Sequence, residues 1–260
     1  MIVCRSVGEI DRMRAANALV ARVLVALRAA VAPGVTTAEL DRLAEAGIRE
    51  AGAVPAFKGY HGYPATICAS VNEQVVHGIP SGRVLVDGDI LSIDLGAVLD
   101  GFYGDSAVTV PVGDIAPSAG DLLRVTEEAL YRGIRVVRAG ARVSDISHAV
   151  QTHVEAHGFS IVREFVGHGI GQSLHEEPQV PNYGEPGRGP RLAEGMVLAI
   201  EPMVNIGKPG VRILEDGWTS VTRDGSLSAH FEHTVAVTST GADILSAVDV
   251  ASAVRVKSGR

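Results

Sequence analysis

Asp87-Gly88-Asp89-Ile90-Leu91-Ser92-Ile93-Asp94 and Glu194-Gly195-Met196-Val197-Leu198-Ala199-Ile200-Glu201 are one pattern written twice. Each opens on an acid–glycine turn signal, continues as an apolar strand and ends on a carboxylate. A second pair follows: Asp105-Ser106-Ala107-Val108-Thr109-Val110 and Glu232-His233-Thr234-Val235-Ala236-Val237, both alternating strands that begin with an acid. The tripeptide His77-Gly78-Ile79 also has a counterpart in His168-Gly169-Ile170. Upstream, Pro33-Gly34, Thr37-Ala38-Glu39-Leu40 and Ala51-Gly52 read as a cap, a helix and its terminating glycine. Residues 34, 40 and 52 recur at 140, 146 and 158, a constant displacement of 106 residues that also matches Ala44 with Val150 and Ile48 with Val154.

Each half therefore reads as helix, helix, strands, over about residues 10–112 and 120–240. Two long copies do not make a solenoid. The simplest architecture sets two sheets side by side about a pseudo-twofold axis under a cover of helices, an α+β fold in which residues 1–260 form one domain. Gly184 to Pro190 is a surface loop by composition, and residues 246–260 read as a loose tail.

Composition narrows the function. A net charge of −7 argues against bulk attraction to nucleic acid or anionic membrane. Cys4 and Cys68 are too few for a disulfide framework and fit a reducing compartment. The N-terminus lacks the apolar run of a signal peptide, and the apolar region Leu19 to Val31 is interrupted by Arg22 and Arg28. Its Val20, Val23, Leu24, Leu27 and Val31 follow helical spacing up to Pro33-Gly34, so an amphipathic helix is expected, in a cytoplasmic protein.

The acids carry the chemistry. Asp94 and Glu201 each follow a buried-looking strand, where an unpartnered ionised carboxylate costs several kcal/mol. One such acid would be read as a helix cap or an arginine partner. Four in duplicated positions converge on one axis, where they repel unless cations lie between them. A structural ion-pair network is the competing reading, but 23 basic residues spread along the chain make metal the better neutraliser. Four carboxylates and one imidazole suit a pair of divalent ions such as Mn, Fe(II), Co or Zn. Two carboxylates can bridge such ions at ~3.5–4 Å, leaving room for a shared water that suits hydrolysis.

At these residues the chain resembles the type I methionine aminopeptidases, small members of the pita-bread metallopeptidase fold. The matching stretches are Gly59-Tyr60-His61-Gly62-Tyr63-Pro64, Val76-His77-Gly78-Ile79-Pro80, Ile93-Asp94 and Gly101-Phe102-Tyr103-Gly104-Asp105. They continue with Gly167-His168-Gly169-Ile170-Gly171, His175-Glu176-Glu177-Pro178, Ile200-Glu201-Pro202-Met203 and Phe231-Glu232-His233-Thr234. They follow the family's order over roughly residues 10 to 245.

The resemblance implies five metal ligands: Asp105 and Glu232 bridging two ions, Asp94 holding one, and His168 with Glu201 holding the other. It also implies that His77 and His175 orient the substrate and hydrogen-bond the scissile peptide or its oxyanion. A bridging hydroxide would attack the first carbonyl while Glu201 shuttles a proton. The side-chain pocket would be formed at Tyr60, Tyr63, Cys68 and Trp218, with Cys68 also readable as a small buried hydrophobe. Phe57 and Leu174 depart from the family's usual residues but remain apolar, so a thioether should still fit. The implied role is removal of the initiator methionine from nascent chains when the second residue is small, by a monomer with the ribosome as a transient partner.

Other readings are weaker. His153-Val154-Glu155-Ala156-His157 places its acid wrongly for a zincin helix and is expected to be a solvated face. Gly167 to Gly171 is not followed by a phosphate-cradling helix, and no Gly-x-Ser-x-Gly elbow occurs. Proline-directed relatives resemble this fold with an added N-terminal domain for which the chain has no room. Type II enzymes carry an insertion between the equivalents of Glu201 and Glu232 that is missing here, and lack of an N-terminal extension points to the short bacterial type. A non-catalytic binding protein on the same fold would be expected to have lost ligands, and all five are intact.

Overall fold

The computed structural model describes residues 1–247. The first half contains α1 (Val7–Ala30), α2 (Thr37–Glu50), β1 (Val54–Pro55), β2 (Ile67–Val71), β3 (Gln74–Val76), β4 (Ile90–Leu99) and β5 (Phe102–Pro111). The second contains α3 (Pro117–Arg135), α4 (Val143–Ala156), β6 (Ser160–Ile161), β7 (Gly167–Gly169), β8 (Glu176–Val180) and β9 (Val197–Ile200). It continues through β10 (Met203–Asn205), β11 (Val211–Ile213), β12 (Ser220–Thr222), β13 (Ser228–His230), β14 (His233–Val237) and β15 (Ala242–Ile244). The pattern helix, helix, strands recurs as the duplication predicts, in the pita-bread α+β architecture.

The helices begin and end for local reasons. The Thr36 hydroxyl accepts from Glu39 N at 3.2 Å while the Glu39 carboxylate accepts from Thr36 N at 2.7 Å, a reciprocal cap that starts α2. Asp145 accepts from Arg142 N at 2.8 Å at the matching start of α4. Both helices stop before a left-handed glycine, Gly52 at φ +74° and Gly158 at φ +78°. The matched pairs Ala44/Val150 and Ile48/Val154 are all fully buried. Burying each of the larger side chains contributes roughly 1.5–3 kcal/mol. Helix α1 starts twelve residues before the predicted Leu19, because Ser6 and Glu9 cap it, and it ends at Ala30, ahead of Pro33. Its Met13, Ala16, Val20, Val23, Leu24 and Leu27 face inward.

Each half has its own apolar core. One is drawn wholly from residues 19–112; the other from residues 119–237 with Ile90 added. In the first sheet β4 pairs with β5 along its full length, and with β1 and β2 on its other edge. The second sheet runs β15-β14-β9-β7-β8, and all its pairings are antiparallel. Two three-stranded sheets, β13-β10-β6 and β11-β12-β3, complete the fold. Between the halves β5 runs beside residues 230–234. Glu232 N donates to Ala107 O at 2.9 Å, and three hydroxyls bridge the remainder. Ser106 Oγ donates to Glu232 O (2.7 Å), Thr109 Oγ1 to His230 O (2.8 Å) and Thr234 Oγ1 to Asp105 O (2.8 Å).

Four expectations need correction. Asp94 and Asp105 lie inside β4 and β5, not at strand ends, whereas Glu201 and Glu232 flank β9 and β14. The second ladder stops there because Pro202 has no N–H to donate. His77 and His168 are not structural counterparts. His77 follows β3 with φ +60°, whereas His168 lies within β7 opposite Ala199 of β9. His153 is not on a solvated face: it is buried, with Nε2 3.1 Å from Glu128 Oε2 on α3. The tail does not begin at 246, since buried Ser246 Oγ accepts from Thr234 N at 3.1 Å; residues 248–260 lie outside the described residues.

Candidate metal centre and substrate cavity

The four acids and His168 meet where the halves meet. Asp94 comes from β4, Asp105 from β5, His168 from β7, Glu201 from the end of β9 and Glu232 from the residue before β14. Ligand atoms of Asp105, His168 and Glu232, all buried, lie within 4.8 Å of one another. Glu201 Oε1 is 3.4 Å from His168 Nε2. His168 Nδ1 lies 2.9 Å from Gly169 O; a carbonyl only accepts, so Nδ1 carries the hydrogen and Nε2 offers its lone pair to the centre. Glycine on either side of His168 is required by close approach. A Cβ at Gly167 would stand 2.4 Å from Ala199 O, and one at Gly169 2.3 Å from Glu177 O. The glycines of this motif thus let β7 squeeze between β8 and β9.

The electrostatics test whether a metal fits. Asp94 Oδ1, Asp105 Oδ1 and Glu232 Oε1 are buried without a hydrogen-bond partner. Among the described residues no lysine or arginine pairs with any of the four acids. Burial raises all four carboxyls above their usual range. Nearby acids add to the rise at Asp105 and Glu232, and at Asp94 the effect of Glu201 is opposed by His230. Burial also lowers His168 and His77 to about 4, so both imidazoles are neutral at pH 7. Neutral imidazole and orphaned carboxylates, without basic partners, are a donor set completed by divalent cations. The ion-pair network finds no support.

Above the acids lies a cavity of about 320 Å³, near the lower end of small-molecule sites. All thirteen residues singled out in the sequence line it. His175 stacks edge-on against His168 at 4.4 Å, with Nδ1 2.7 Å from the Tyr60 hydroxyl. The Tyr63 hydroxyl donates to Ile67 O and Gly78 O at 3.0 and 3.1 Å, and its ring meets Trp218 at 5.1 Å. His77 is edge-on to Phe165 at 5.4 Å and to Trp218 at 6.3 Å. Phe57, Cys68 and Leu174 are buried in the apolar wall. Cys68 is therefore both a buried hydrophobe and a cavity residue, and it faces Asp94 across the β2–β4 ladder. The loop bearing Leu174 and His175 is held by Glu176, whose carboxylate accepts from Gln172 N, Ser173 N and buried Arg5.

The sequence profile of metallopeptidase family M24 matches residues 11–239. The chain belongs to metallopeptidase family M24. It is 56% identical over 248 residues to methionine aminopeptidase 1 of Bacillus subtilis, spanning 95% of this chain and 100% of that protein. It is 48% identical to methionine aminopeptidase of Escherichia coli, over 91% of this chain and 90% of that one. The crystal structure of methionine aminopeptidase from Rickettsia prowazekii superposes with a TM-score of 0.94 at 44% identity, covering 95% of this chain and all of the other. An Xaa-Pro dipeptidase from Bacillus anthracis shares the fold at a TM-score of 0.74 and 21% identity, with 61% of its own chain covered.

For this M24 member, sequence reasoning missed several lining residues. Phe165 carries no signal beyond being apolar, whereas Val76 and Met203 stand in the matching stretches that carry His77 and Glu201. His61 stacks on Tyr60 at 4.4 Å. His230 did leave a signal: it stands two residues before Glu232, the spacing that puts two side chains on one side of an extended chain. It is 1% exposed and its Nε2 lies 3.6 Å from Glu201 Oε2.

Proposed function

We propose that this chain removes the initiator methionine from nascent polypeptides whose second residue is small. The reading is supported by three buried carboxylate oxygens without partners on the floor of an apolar cavity. It is supported further by full-length similarity to methionine aminopeptidases. Two divalent ions would be held by Asp94, Asp105, His168, Glu201 and Glu232. When bound, such ions supply a nucleophilic water at neutral pH and an electrophile for the scissile carbonyl.

The protein's own groups do the rest. Phe57, Tyr63, Cys68, Leu174 and Trp218 take the thioether side chain, for which aromatic and sulfur contacts are favourable. With the Tyr60 hydroxyl donating to Nδ1, His175 can donate from Nε2 to the carbonyl oxygen as negative charge develops. His77, fixed in a left-handed backbone position and held between Phe165 and Trp218, orients the peptide unit. Glu201 is the group to carry a proton to the departing amine. The protein acts as a monomeric single catalytic domain in the cytoplasm, meeting nascent N-termini near the ribosome. Among the described residues no helix is long and apolar enough to cross a membrane.

The test is metal analysis of protein purified without added metal, followed by reconstitution with Co, Mn, Fe(II) or Zn and assay on Met-Ala-Ser. Two ions per chain and release of methionine are expected, with Xaa-Pro dipeptides left intact. Protein that takes up no metal, or is inert when loaded, would overturn the reading.

A further inference from the structure

We infer that His230 is a positioning residue for Glu201, its Nε2–H holding Oε2 so that Oε1 alone turns toward the metal centre beside His168. The inference rests on the proposal that Glu201 is a metal ligand.

His230 ends β13 and cannot drift. Its N donates to Thr109 Oγ1 and its O accepts from the same hydroxyl, both at 2.8 Å. The side chain is 1% exposed, and Nε2 is fully buried with no hydrogen-bond partner. Orphaned buried nitrogens are rare and call for an explanation. The facing atom is Glu201 Oε2, 3.6 Å away and one small adjustment from a hydrogen bond. The backbone of Glu201 is itself fixed, since its carbonyl accepts from Asn182 Nδ2 at 3.0 Å.

The Glu201 carboxylate thus sits between two imidazoles, and they cannot do the same work. His168 has spent its hydrogen on Gly169 O, so its Nε2 presents a lone pair to Oε1. Two electron-rich atoms facing each other need a cation. His168 belongs to the cluster whose ligand atoms close to within 4.8 Å. For His230 the arrangement is favourable when Nε2 carries the proton and donates to Oε2. A partner of this kind fixes a ligand's orientation, and its loss typically weakens metal binding about 10–100-fold.

The experiment titrates Mn²⁺ calorimetrically into metal-free wild type, His230→Gln and His230→Leu. Gln retains an N–H donor; Leu fills similar space without one. Leu is expected to weaken one of the two binding events by about 10–100-fold, and Gln to restore it. Nitrogen NMR of the labelled wild type, which does not depend on a variant folding, should find Nε2 protonated before and after Mg²⁺, or another diamagnetic divalent ion that binds, is added. Wild-type affinity in the Leu variant, an equal loss in the Gln variant, or disappearance of the Nε2 proton on metal binding would each overturn the inference. A wild type that binds no metal would instead overturn the ligand role of Glu201, and this inference with it.

Discussion

At the scale of single residues, the acids decide everything, and they were readable because a carboxylate after a buried strand demands a reason. Replacing Glu232 by Gln keeps shape and removes charge. Turnover on Met-Ala-Ser should fall by more than about a hundredfold, and metal content measured by mass spectrometry should drop below two ions per chain. The same charges set a pH dependence in the metal-free protein. His77, His168 and His233, held down at about 4, add stability as pH rises from 4 to their ordinary value of about 6.5. Asp94 and Glu201, pushed up to about 7 and about 8, contribute fully below the ordinary carboxylate range and lose that contribution as pH rises through those values. Between pH 6.5 and 8 only the second effect remains. The melting temperature of metal-free protein should therefore fall across that window, and Mn²⁺ should raise it most at the alkaline end; a flat profile would mean the acids are neutralised by something else. His230 was not singled out, because its place two residues before Glu232 gains meaning only when its unpartnered nitrogen is seen.

At the scale of elements, helix boundaries were legible where caps are local and strand boundaries were not. The Thr36–Glu39 cap and the terminating Gly52 and Gly158 are written within a few residues of the ends they define. Strand length depends on the neighbour, so β4 and β5 carry on past their acids to a two-residue turn at Asp100-Gly101, while Pro202 cuts the matching ladder short. The loop that carries His175 illustrates the same limit. Its stability comes from Arg5, 171 positions away from Glu176, a pairing no local pattern announces. Arg5→Ala would leave the half-buried Glu176 carboxylate with only the N–H groups of Gln172 and Ser173, and should cost about 3 kcal/mol in chemical denaturation. It should also lower kcat/KM while leaving metal content unchanged; loss of metal in that variant would show that the clamp supports the acids as well as the loop.

At the scale of the whole molecule, the duplication foretold two helix-covered sheets but not how they join. Besides the β3–β12 pairing, the seam where β5 meets residues 230–234 is one backbone bond and three hydroxyls, and a hydroxyl's partner cannot be read from its own sequence neighbours. Thr109→Val preserves volume and removes the atom that serves both the N and the O of His230. It should destabilise the protein by about 2 kcal/mol and weaken metal binding, since Glu232 lies two residues farther on; unchanged denaturation would show the seam does not depend on this contact.

The Arg5–Glu176 clamp also bears on the order in which a growing chain can complete its own catalytic pocket. Arg5 is synthesised long before its partners, yet its N–H waits for Gly195 and its guanidinium for Glu176, 171 positions on. Until the chain has been extended through Gly195, Arg5 has nowhere to dock and the His175 loop has no anchor. An enzyme that trims the beginnings of other proteins therefore cannot finish its own working parts until a residue made early has been tied to segments made much later.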